Sequence, residues 1–76
     1  MTLEHLRQVL QREIRLKTPQ AIELRLPGEV ILISATVDAV INELLVRDAQ
    51  EVELVKCDAT YLVEQEFLYV LTVDII

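Results

Sequence analysis

A single cysteine, Cys57, and a single histidine, His5, are the only side chains in this 76-residue chain that could form a thiolate–imidazole pair. Such a pair works only within hydrogen-bond reach. Their surroundings argue against it: His5 falls on the polar side of a helical pattern, whereas Cys57 sits in a strand pattern, where a lone thiol packs as a small hydrophobe. Zinc would need three or four ligands at close spacing, which one Cys and one His do not supply. Asp58, Glu64 and Glu66 could gather at a hairpin end to hold a hard cation, or act with Tyr61 as the acid and base of a minimal enzyme. Their spacing fits no EF-hand, and a short chain has little wall with which to build a pocket that splits two carboxylates. The one glycine, Gly28, follows Pro27 in a turn, so no Gly-rich loop is present to cradle phosphate. No cofactor is expected, no residue is assigned a catalytic role, and a binding or assembly module is favoured over an enzyme.

The elements that must position these residues follow from periodicity. Thr2 caps a helix over about 2–16, with Leu3, Leu6, Leu10 and Ile14 on one stripe and Val9 and Leu16 widening it. Pro19 stops it near Lys17. Ile22, Leu24 and Leu26 alternate with Glu23 and Arg25 as a half-buried strand. After Pro27-Gly28, which suits a longer or bulged connection better than a two-residue hairpin, Val30 to Ile33 is apolar on both faces and is expected to be central. Thr36 caps a second helix, with Asp38 in its first turn and Val37, Val40, Ile41, Leu44 and Leu45 at helical spacing to Asp48. Residues 52–57 form a third strand and 66–76 a fourth; between them Tyr61-Leu62-Val63 fits either an extension of the third strand towards a turn at Glu64-Gln65, the preferred reading, or a short helical turn. The fold class expected is α+β in one domain, residues 1–76, with the order α-β-β-α-β-β: a four-stranded, mainly antiparallel sheet with two helices packed on one face.

Composition limits the function classes. At 53% hydrophobic and 26% charged residues, the chain is too apolar for disorder and lacks the run of about 18 apolar residues that spans a membrane. A net charge of −6 argues against nucleic acid as a partner. The start, Met1-Thr2-Leu3-Glu4-His5, has no secretory pattern, and one cysteine precludes an intrachain disulfide. A cytoplasmic location is therefore expected, with no membrane partner.

Charge is unevenly placed: residues 1–17 hold four bases against two acids, the rest three bases against eleven acids. The simplest consequence is that the first helix docks on its own sheet; an acidic protein capturing a basic partner is an alternative.

The other signal is surplus apolar surface, because two helices cannot cover both faces of a sheet whose second and fourth strands are apolar on each side. Residues 66–76 would span roughly 36 Å if extended, against roughly 30 Å for a compact globule of this length. The sequence thus leads to a small interaction or regulatory module acting as a homo-oligomer, with a further protein partner open. Its contact surface is placed on Phe67, Tyr69, Leu71, Val73 and Ile75. A ligand-binding regulatory domain with its pocket between protomers is the other reading.

Overall fold

The structure, a computed structural model, describes the backbone of residues 1–63 and 67–76 and the side chains outside the segment 58–68. The order is α1 (Leu3–Lys17), β1 (Ala21–Leu26), β2 (Val30–Ser34), α2 (Val37–Val46), β3 (Leu54–Val63) and β4 (Phe67–Ile75).

Both helices begin at threonines whose hydroxyls take up an orphan amide. Thr2 Oγ1 accepts from the His5 N–H at 3.2 Å, and Thr36 Oγ1 from the Ala39 N–H at 3.1 Å. Their ends differ. Pro19 bars Thr18 from the α region, so Thr18 turns left-handed, φ 48°, while its N–H still reaches the Ile14 carbonyl. The α2 helix closes earlier than Asp48. Asp48 is left-handed at φ 58°, and the Asp48 and Ala49 amides donate back to the Leu45 and Leu44 carbonyls, each at 2.9 Å, the two bonds of a Schellman cap.

Pro27, Gly28 and Glu29 connect β1 to β2, which pair from Leu26–Val30 to Ile22–Ser34. Gly28 at φ 81° supplies the positive angle that follows proline in a type II turn. Glu29 at φ 62° extends the connection to three residues, the longer link expected of Pro-Gly.

The sheet is mixed, and here the expectation of a mainly antiparallel sheet is corrected. Strand order is β2-β1-β4-β3, with β1 and β4 parallel at the centre and an antiparallel strand on each side. Periodicity reports which strands alternate but not which meet. The last strand returns beside the first rather than beside its neighbour across α2. Two placements follow. β4, apolar on both faces, is interior, paired on both sides. β2, equally apolar and expected at the centre, is an edge. β1 takes the inner place at little cost, because its polar side chains lie on a face that neither helix covers.

Both helices pack on the other face. Leu6 and Leu10 of α1 and Val40 and Leu44 of α2 are buried with Ile22 and Leu24 of β1 and Leu71 and Val73 of β4 in one contiguous cluster. Arg7 of α1 hydrogen-bonds Asp38 in the first turn of α2, a link between the two helices. β3 runs on to Val63, antiparallel to β4 as far as Phe67. β1 pairs with β4 only from Val70 onward, while β3 and β4 pair as far as Val63 and Phe67.

Candidate functional site

The uncovered sheet face is built from alternate residues of each strand. Register aligns Ile31, Arg25, Asp74 and Lys56 in one row across it, and Ile33, Glu23 and Thr72 in the next. In these two rows the inner strands are polar and internally paired: Arg25 lies 3.2 Å from Glu23 and 3.6 Å from Asp74. Thr72 is shielded to 4% exposure among these longer neighbours. Among the described residues, β2 brings two exposed isoleucines to this face, Ile31 at 55% and Ile33 at 70%.

The two edges of the sheet are protected unequally. An edge strand exposes unpaired N–H and C=O groups, and proteins blunt this with bulges, charges or covering segments. Along its first half β3 has all three. It carries a bulge between Leu54 and Lys56, the charge of Lys56 itself, and a Cys57 carbonyl that accepts from Lys17 Nζ at 3.5 Å. Just before it, Met1 and Val52 exchange two backbone hydrogen bonds and Thr2 bridges Glu51. β2, with the sequence Val-Ile-Leu-Ile-Ser, has no charge, proline or bulge. Among the described residues no backbone hydrogen bond reaches it from outside the sheet.

Beside this free edge a groove of about 430 Å³ opens between β2 and α2, lined by Leu32, Ile33 and Ser34 on one wall and Ala39, Val40, Asn42 and Glu43 on the other. Its polar groups are an amide, a hydroxyl and one carboxylate.

The residues singled out from the sequence fall elsewhere. Leu71 and Val73 are wholly buried and Ile75 is 5% exposed, beneath the chain's own helices. Their side chains fill the core and leave no surface for a partner. From Val70 onward both edges of β4 are also taken, by β1 on one side and β3 on the other. Tyr69 is partly exposed, and the side chain of Phe67 lies outside the described residues, as do those of Asp58, Tyr61, Glu64 and Glu66.

The Cys57 carbonyl adjoins Lys17 at the C-terminal end of α1. His5 is exposed in the first turn, roughly 18 Å away along the helix axis, so the two are not brought together. Among the described residues no three His, Cys, Asp or Glu side chains gather as metal ligands, and no helix is long and apolar enough to cross a membrane.

Sequence reasoning missed β2 as the exposed element. The available signal is the uncharged run from Val30 to Val37, which suits a buried central strand as well as an edge awaiting a partner. No protein-family model, curated protein or solved structure matches the chain.

Proposed function

We propose that this chain is a small interaction module that works by self-association, with the β2 edge and its outward isoleucines as the contact surface and no catalytic role of its own. The observation that carries this reading is an unprotected edge strand bearing Ile31 and Ile33 in solvent, while the first half of the opposite edge is bulged, charged and covered. A long-lived protein with such an edge needs a partner for it. The contact moves from β4 to β2 because Leu71, Val73 and Ile75 are committed to the core.

The test is Ile33→Lys. At 70% exposure the new side chain stays in water in the isolated chain, so circular dichroism and the thermal midpoint are expected to stay as in the wild type. Light scattering is expected to show the assembled species giving way to the 8.7 kDa chain. An assembly that keeps its mass in the Ile33→Lys variant would refute β2 as the contact.

A second reading, a regulatory domain that binds a ligand between protomers, is favoured by the groove of about 430 Å³, since it opens along this same edge. A thermal-shift screen with small metabolites tests it: a ligand-induced rise lost on Ala39→Trp, which fills the groove, supports the pocket, and no rise with any class of metabolite counts against it.

A further inference from the structure

We infer that the occupant of the β2 edge is the β2 strand of a second copy, paired antiparallel about a two-fold axis through Leu32, so that Ile31 of each protomer lies opposite the partner's Ile33. This rests on the self-association reading and specifies its geometry. A free edge is completed by another strand, because only a strand returns its row of unpaired N–H and C=O groups.

Two-fold symmetry then restricts the register severely. Directly opposed residues in an antiparallel pair point to the same face, so the axis must pass through a residue position. Centring it on Leu32 pairs all five residues of β2, Val30–Ser34, with themselves and places Glu29 opposite the partner's Ala35. Centring on Ile31 sets each Ile33 against the partner's Glu29. Centring on Ile33 carries the pairing beyond the strand into the bend before α2. The Leu32 register alone buries both isoleucines against each other.

Electrostatics selects the same segment. Outside residues 1–17 the chain holds eleven acids against three bases, so two copies repel wherever their acidic surfaces meet. Val30 to Val37 is an eight-residue stretch without a charge, and it contains the whole of β2. An axis perpendicular to the sheet leaves the helices of both protomers on one face. The four-stranded sheets become one of eight strands, and the two β2–α2 grooves meet at its centre.

Paired charge variants test the register. In I31K/I33E each lysine falls opposite the partner's glutamate, whereas I31K/I33K sets lysine against lysine; both changes lie on exposed positions, and circular dichroism checks that each variant is folded. Molar mass is measured by light scattering from about 1 μM to about 1 mM, the range that brackets weak to moderate association. I31K/I33K is expected to weaken the dimer by roughly 100-fold or more, and I31K/I33E to recover most of that loss at low salt and lose it again at high salt. Equal weakening of both variants would overturn the register while leaving self-association through β2 standing. Wild-type mass in both variants would overturn β2 as the contact, and a wild type that stays at 8.7 kDa throughout would overturn self-association itself. Amide exchange gives an independent readout: protection along 30–34 is expected to rise with protein concentration, and concentration-independent exchange there would contradict the strand pairing.

Discussion

Leu24 and Leu16 show how differently two leucines of one chain are used. Leu24 lies on β1 with its side chain fully buried, aligned with Val73 on one side and Leu32 on the other. Leu16 sits in the last turn of α1 at 71% exposure. Truncating Leu24 to alanine removes buried methyl groups and leaves a cavity that the paired strands cannot readily close, so Leu24→Ala is expected to cost about 2–5 kcal/mol in urea unfolding. Leu16→Ala should change stability by no more than about 0.5 kcal/mol. Much of this contrast is legible before folding: Leu3, Leu6 and Leu10 fall on the helical stripe, and Ile22 and Leu24 on the alternation. Leu16 is not, because a stripe says which residues share a face and not where the surface beneath it ends.

Among the elements, the helices are the most legible, since their signals are local. Thr2 and Thr36 announce their starts and Pro19 the end of α1. Thr36→Ala deletes the acceptor for the Ala39 amide and is expected to cost about 1 kcal/mol, with Thr36→Ser close to wild type, as read from thermal or urea unfolding. An Ala substitution with no effect would mean that water serves that amide as well as the threonine does. Strand existence is nearly as legible, except in the continuation of β3 through Tyr61 to Val63, where so short an apolar run fits a strand or a helical turn. Strand order is not, because pairing is settled by which surfaces the helices cover. β1 alternates and still lies inside the sheet; β2 does not alternate and lies at its edge. The Schellman cap of α2 leaves little trace either, for Asp48 gives no glycine to mark a left-handed residue.

At the scale of the whole molecule, two helices cover one face of the sheet and the first half of β3 is guarded, whereas β2 is an edge with no charge, proline or bulge. Charge acts in the same direction. On the proposed reading, the acidic body disfavours contact between copies over most of its surface, and the uncharged stretch around β2 is where two approach. This site is only half legible in the sequence: the excess of apolar residues is plain, but pattern alone places it on β4, whose Leu71, Val73 and Ile75 the helices bury. Self-association is most directly tested by the molar mass of the unmodified protein, measured by size exclusion with light scattering across a wide concentration range. A concentration-dependent rise from 8.7 kDa to twice that value is the predicted result; a constant 8.7 kDa up to about 1 mM, weaker than any specific dimer of consequence, would contradict it.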